Sequence, residues 1–194
     1  KYPDVSVQLQ VHSTRRTGWS VANGQIDLAI IGGQLPSDLE NLLQIIPYAT
    51  DELALVLPSK HKLSNKKELL KEDLYKLNFV TLDTQSTTRK VVDKLLQDSG
   101  LDIQRLKIEM ELNSLEAIKN AVQSGLGASF LPVVSIEREL AAGTIHKAFV
   151  ADLEVKRELK LITNPSRYTS RASEVFKKNI LPQFASLESP LRQV

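Results

Sequence analysis

Two stretches of this chain, about a hundred residues apart, share one layout, and no other feature narrows the possible folds so far. In the first, Val5, Val7, Leu9 and Val11 alternate with Ser6, Gln8, Gln10 and His12, which predicts a strand with one buried face. A helix follows from about Ser13 to Asn23, closed by Gly24, the usual residue for a left-handed cap. Ile26 to Ile31 is then a nearly all-apolar strand ending at Gly32-Gly33, the pattern of a strand covered on both faces in a parallel sheet. In the second stretch, Leu106, Ile108, Met110 and Leu112 alternate with Lys107, Glu109 and Glu111. Asn113-Ser114 opens a helix striped by Leu115, Ile118, Ala121 and Val122, Gly125 closes it, and Gly127 to Leu131 supplies another strand. A shift of 101 positions lays Val5, Val7, Leu9 and Val11 on Leu106, Ile108, Met110 and Leu112, and Ser13, Val21 and Gly24 on Ser114, Val122 and Gly125. A strand–helix–strand unit written twice predicts two similar α/β lobes, and 194 residues suit two lobes of about 100.

The rest of the chain fills in around this repeat. Strands are predicted at Glu52 to Pro58 and Phe79 to Leu82, with a short helix at Lys66 to Leu74. Asp83 to Arg89 leads into a helix that turns Val91, Val92, Leu95 and Leu96 inward and stops at Gly100. After Pro132 a helix runs to about Ala142-Gly143, and Glu158 to Thr163 is a strand. The last helix, from about Ser170 to Leu187, carries Val175, Ile180, Phe184 and Leu187. That final strand and helix lie outside the repeat and are expected to return to the first lobe. The chain then crosses between lobes twice, near Lys76 to Asn78 and near Lys156 to Glu158.

Composition removes several functions. With 25 Lys and Arg against 23 Asp and Glu the net charge is +2, which argues against a whole-surface binder of nucleic acid or membrane. The absence of cysteine excludes disulfides, thiolate metal sites and cysteine catalysis. Neither Leu28 to Ile31 nor Leu53 to Leu57 approaches the ~20 apolar residues of a membrane span. Lys1-Tyr2-Pro3-Asp4 has no signal-peptide pattern. His12, His61 and His146 are scattered without carboxylates at suggestive intervals, and no nucleophile elbow, Walker loop, dinucleotide fingerprint or zinc-helix motif occurs, so neither enzyme nor cofactor is expected. Lys60-His61-Lys62 with Lys66-Lys67 reads as a solvated loop. Asp27 reads as an acceptor for nearby backbone, and Trp19 and Phe130 as core or interface.

Ligands of parallel α/β sheets bind beyond the carboxyl ends of strands, where helix N-termini offer unpaired N–H groups to anions. The residues expected there are His12 to Arg16, Asp83 to Arg89, and Asn113-Ser114, which are mostly polar without negative charge. Hydroxyls with Arg15, Arg16 and Arg89 suit a carboxylate or phosphate. For any one of these residues plain helix capping is the simpler role, and Asn113 with Glu116 comes close to a capping box. Three such openings together are what point to a ligand. Adjacent Arg15 and Arg16 face different ways on a helix, so at most one of them contacts it.

Several segments resemble the effector-binding region of LysR-type transcriptional regulators: Tyr2-Pro3-Asp4-Val5, Asn23 to Ile30, Asp51 to Pro58 with His61, Val122 to Ala128, and Leu131-Pro132. Val7 to Arg15, Lys107 to Ser114, and Leu161 to Pro165 with Arg167-Tyr168 look most like the Rubisco-operon regulators of cyanobacteria and plastids. The resemblance implies a periplasmic-binding-protein-like (type 2) α/β fold of two subdomains joined by crossover strands. Residues 1–75 with 160–194 would form the first and 76–159 the second. It implies a metabolite effector in the cleft held by Ser13, Thr14, Arg15, Asp83, Gln85, Ser86, Thr87, Asn113, Ser114 and Phe130. Ribulose bisphosphate, phosphoglycolate, phosphoglycerate, 2-oxoglutarate and NADPH are the candidates. It also implies a homodimer or homotetramer, here through the Trp19 helix and the region of Phe130 to Leu140, in the cytoplasm or plastid stroma. Two departures from the family set further expectations. No winged helix-turn-helix precedes Lys1, so promoter DNA would be reached only through a separate N-terminal domain. The family's first strand and helix are also missing, which would weaken effector affinity. The competing reading is an extracytoplasmic solute-binding protein of similar fold.

Overall fold

A computed structural model describes residues 5–179 and 181. In chain order its elements are α1 (Thr14–Ala22), β1 (Leu28–Ile31), α2 (Ser37–Glu40), β2 (Gln44–Pro58), β3 (Asn78–Leu82), α3 (Thr87–Asp98), β4 (Lys107–Leu112), α4 (Leu115–Gln123), β5 (Ser129–Pro132), α5 (Glu137–Ala141), β6 (Ile145–Ala148), β7 (Lys156–Thr163) and α6 (Arg171–Asn179). They form two compact units, Lys1–Thr50 with Glu158–Val194, and Asp51–Arg157. The first crossing therefore falls at Thr50/Asp51 rather than near Lys76. β2 begins at Gln44, eight residues before the predicted strand, and runs through the boundary without a break. The second crossing, at Arg157/Glu158, lies within β7.

In the first unit, Ser13 caps α1 and Gly24, at φ +70°, ends it in the left-handed conformation that glycine adopts without strain. Val21, Ala22, Ile31, Leu35, Leu39, Leu43 and Ile162 make the core. Gly18 lets α1 settle close to its neighbours, since a Cβ there would stand 2.7 Å from Leu35 and 2.8 Å from Leu39. Two expectations fail here. β1 pairs antiparallel with β7, Leu28 opposite Thr163, rather than in a parallel sheet, and Ile30 is 41% exposed. Residues 5–13 form no strand, and Val5, Val7, Leu9 and Val11 are exposed. Alternation marks a face that could be buried, but the ladder bonds that make a strand need a partner edge. Asp27 is exposed as well and precedes β1. Ile180, Phe184 and Leu187 of the predicted last helix lie outside the described residues.

In the second unit, β3 and β4 are parallel, and Ala128 bridges Phe79 in the same sense, so the β4–α4–β5 repeat encloses β3. The far half of β2 pairs antiparallel with β5 and β6. One core cluster gathers Leu53, Leu55, Leu57, Phe79, Leu96 and Phe130, another Val56, Val80, Ile118, Val122, Leu131 and Ile136. The predicted helix over Lys66 to Leu74 is instead two 3-10 turns, Lys62–Asn65 and Lys71–Lys76. The second is pinned by the buried Asp73. Its carboxylate accepts from Lys76 at 2.7 Å, from Lys66 at 3.2 Å and from the Leu70 backbone N–H at 3.2 Å. These donors, Lys76 first, hold its pKa down to about 2 against the opposing effect of burial. Lys66, half exposed in the loop between the two turns, is solvated as expected and also serves as an ion-pair partner. After Pro132 a 3-10 turn, Val133–Ser135, precedes the five-residue α5, so the long helix expected there is broken.

Candidate functional site

The strongest grouping of predicted site residues is in the second unit. β3 and β4 end together, Leu82 opposite Leu112, and the Asp83 N–H donates to the Leu112 carbonyl at 3.0 Å. The loop from Asp83 to Thr87 and the turn at Asn113-Ser114 therefore lie side by side. Each opens a helix, α3 after Ser86 and α4 after Ser114. The first turns of α3 and α4 thus point their N–H ends out from the carboxyl ends of adjacent parallel strands, the direction that favours an anion.

The side chains divide between structural and available. Asp83 accepts from the Gln85 N–H at 2.8 Å and so shapes the loop. Ser86 accepts from the Arg89 N–H at 3.5 Å, a long N-cap bond. Gln85 and Asn113 are exposed, while Thr87 and Ser114 are half-buried. Ser114, not Asn113, is the N-cap of α4 and makes no side-chain cap bond, so Asn113 and Glu116 do not stand in capping-box positions. Glu116 pairs instead with Lys119 at 2.8 Å. Lys119 is itself buried and also bonds Glu139 at 2.9 Å and the Ser135 carbonyl at 3.1 Å. The Glu116 and Glu139 carboxylates raise the pKa of Lys119, and Lys119 lowers that of Glu139.

Arg89 is not a free anion-binding cation. Its Nε donates to both Asp93 oxygens at 2.8 Å. Its Nη1 donates to Thr81, to the Leu82 carbonyl at 3.1 Å and to Glu111 at 3.3 Å. The i,i+4 spacing to Asp93 was legible in the sequence. The Glu111 contact was not, because it depends on the β3–β4 pairing. Phe130 is 8% exposed and stacks on Phe79 with ring centroids 6.3 Å apart. It lines, with Thr81, Thr88 and Arg89, a cavity of about 30 Å³ beneath the opening of α3, room for about one water.

In the first unit, Ser13, Thr14 and Arg15 gather at the start of α1. Ser13 is exposed and accepts from the Arg16 N–H at 3.5 Å, Thr14 is 7% exposed, and Arg15 and Arg16 are both exposed. Sequence reasoning passed over Arg157 and Asp51 as partners of Thr88. Arg157 bonds Asp51 at 2.7 Å and 2.9 Å and Thr88 at 2.8 Å, joining the start of α3 to β2 and β7. The available signal was a charge next to each predicted strand, Asp51 before Glu52 and Arg157 before Glu158. Among the described residues, no cluster of three or more His, Cys, Asp or Glu is placed to hold a metal, and no helix is long and apolar enough to cross a membrane.

Residues 1–185 match the family model described as the LysR substrate binding domain. A Probable RuBisCO transcriptional regulator of Synechocystis sp. is 59% identical over 186 residues, 96% of this chain and 54% of that protein. One of the same name in Trichormus variabilis is 61% identical over 96% of this chain and 55% of its own length. The chain thus spans about half the length of the curated relatives it matches. Among solved structures, the Synechocystis PCC6803 CcmR regulatory domain in complex with 2-PG superposes with a TM-score of 0.80 at 23% identity, over 95% of this chain and 86% of that one. The fold is the type 2 periplasmic-binding-protein-like fold of LysR effector domains, and the chain belongs to the LysR substrate-binding-domain family.

Proposed function

We propose that this chain is the effector-binding part of a LysR-type transcription factor that senses a small anionic metabolite and controls carbon-fixation genes of the Rubisco operon. The observation that carries this reading is identity of 59% and 61%, over 96% of the chain, to relatives named RuBisCO transcriptional regulators. The 2-PG bound to the CcmR regulatory domain supports an anionic phosphate ester as effector. So does the corner where α3 and α4 open, which presents hydroxyls and N–H groups. Effector contacts are assigned there to Gln85, Ser86, Thr87, Asn113 and Ser114, with Asp83 shaping the loop and Phe130 flooring it. Ser13, Thr14 and Arg15 are the corresponding candidates at the opening of α1. DNA contact belongs to a separate winged helix-turn-helix domain, and the working form is a homodimer or homotetramer in the cytoplasm or plastid stroma. The protein regulates and does not turn its ligand over.

The test is calorimetric titration and thermal shift of the full-length regulator with 2-phosphoglycolate, ribulose bisphosphate, phosphoglycerate, 2-oxoglutarate and NADPH. A true effector at a hundred times its Kd stabilises the protein by about 2.7 kcal/mol. Ser114→Ala is the informative variant because Ser114 makes no cap bond whose loss would destabilise α4. It should weaken the effector roughly five- to tenfold, the value of about one hydrogen bond, at unchanged melting temperature. If no compound on the panel stabilises the protein, the reading fails. An unchanged titration in Ser114→Ala removes that residue from the site.

A further inference from the structure

Asp51 and Arg157 are the first and last residues of the second unit, and they face each other across the strands that enter and leave it. The backbone there is already paired, the Leu53 N–H donating to the Val155 carbonyl at 2.8 Å. The Arg157 Nε and Nη2 both donate to Asp51 Oδ2, at 2.9 Å and 2.7 Å. The pair is shielded, with side chains 14% and 7% exposed. Two strands held only to each other would need nothing more. Yet the third guanidinium nitrogen, Nη1, reaches away from them to the Thr88 hydroxyl at 2.8 Å, in the first turn of α3. One rigid planar group therefore spans three segments far apart in sequence: β2, β7 and the helix opening beside Ser86 and Thr87. A guanidinium holds its donors in a fixed fork, so Thr88 cannot shift without either losing its bond or pulling on Asp51.

We propose that Arg157 is a positioning residue tying the opening of α3 to the two strands that carry the chain into and out of the second unit, so that occupancy of the α3 opening is read at β2 and β7. The tie itself stands on the ligand-free geometry. Its use as a relay rests on the effector site proposed above.

Hydrogen exchange of the full-length protein tests the tie without ligand. Thr88→Val removes the hydroxyl and leaves the Arg157–Asp51 pair intact. Amides over 51–57 should then exchange about tenfold faster, the worth of one charge-assisted bond, alongside those of the first turn of α3. Thr88→Ser should restore the original rates. Faster exchange confined to α3, with 51–57 unchanged, overturns the proposal, since a merely local role for Thr88 predicts that pattern. In the ligand arm, 2-phosphoglycolate should protect both 86–90 and 51–57 in the parent protein, and only 86–90 in Thr88→Val. Protection of both stretches in Thr88→Val overturns the relay. If 2-phosphoglycolate leaves the parent protein unprotected, that effector is wrong, and the tie is decided by the ligand-free rates alone.

Discussion

Residues 5–11 and β4 are near copies in pattern and opposites in outcome. Val7 and Leu9 are 67% and 88% exposed, whereas their counterparts Ile108 and Met110 sit in a parallel ladder with β3, and Leu106 and Ile108 pack on the core. The helices that follow diverge too. Gly18 lets α1 lie close on Leu35 and Leu39, while the residue at the same place in α4 is Lys119, buried with Glu139. A shared period thus sets where a strand could form, and the neighbouring edge decides whether it does. The helix that follows is more robust, because its caps and its stripe are local.

Three measurements press on this contrast. The largest effect is expected at Lys119, which the second copy has and the first lacks. Lys119→Met leaves the Glu139 carboxylate shielded and unpaired, and should cost about 3 kcal/mol in denaturant unfolding. Lys119→Met with Glu139→Leu should recover most of that; a double variant as unstable as the single would refute the pairing account. Next, the second unit holds Asp73, whose folded pKa of about 2 lies below the ordinary carboxylate value of 3.8. A depressed carboxylate stabilises above its unfolded pKa and loses that contribution as pH falls through its folded one. Asp73 therefore adds about 2 kcal/mol at neutral pH, lost between pH 4 and about 2. Asp73→Asn should flatten the acid limb of the stability curve, and an unchanged slope would remove Asp73 from the account. The smallest effect is expected at Leu9→Ser, within about 0.5 kcal/mol of the parent in this chain because the side chain is in water. A larger loss would mean that residues 5–11 pair with something in solution.

What could be read in advance follows the range of each interaction. The three main helices were legible because Ser13, Ser86 and Ser114 open them and glycines at 24, 100 and 125 close them, all at positive φ. β3 was legible from the apolar residues Phe79, Val80 and Leu82, and most of β7 from Leu159, Leu161 and Ile162 set among charged neighbours. The first half of β2 was not: Pro47, Tyr48 and Thr50 interrupt its apolar run, and only the partner strand reveals it. At the site, the loops were found because caps are local. Arg89 is held first by Asp93, one turn along its own helix, and Glu111 from the neighbouring strand adds a contact that only the β3–β4 pairing reveals. The Arg157–Asp51 contact spans 106 positions, a separation at which pattern in one sequence carries no register.

The nesting of one unit inside the other has a consequence for how the chain is made. Residues 51–157 are contiguous and can complete their own core during synthesis. The first unit cannot, because β1 finds its partner only when Lys160 to Thr163 emerge, ~130 residues later. At about 5–20 residues per second that wait lasts roughly 7 to 25 seconds. Throughout it, the apolar run Leu28-Ala29-Ile30-Ile31 has an unpaired backbone edge, which leaves the nascent chain open to strand-to-strand association even after its middle, residues 51–157, can have closed its own core.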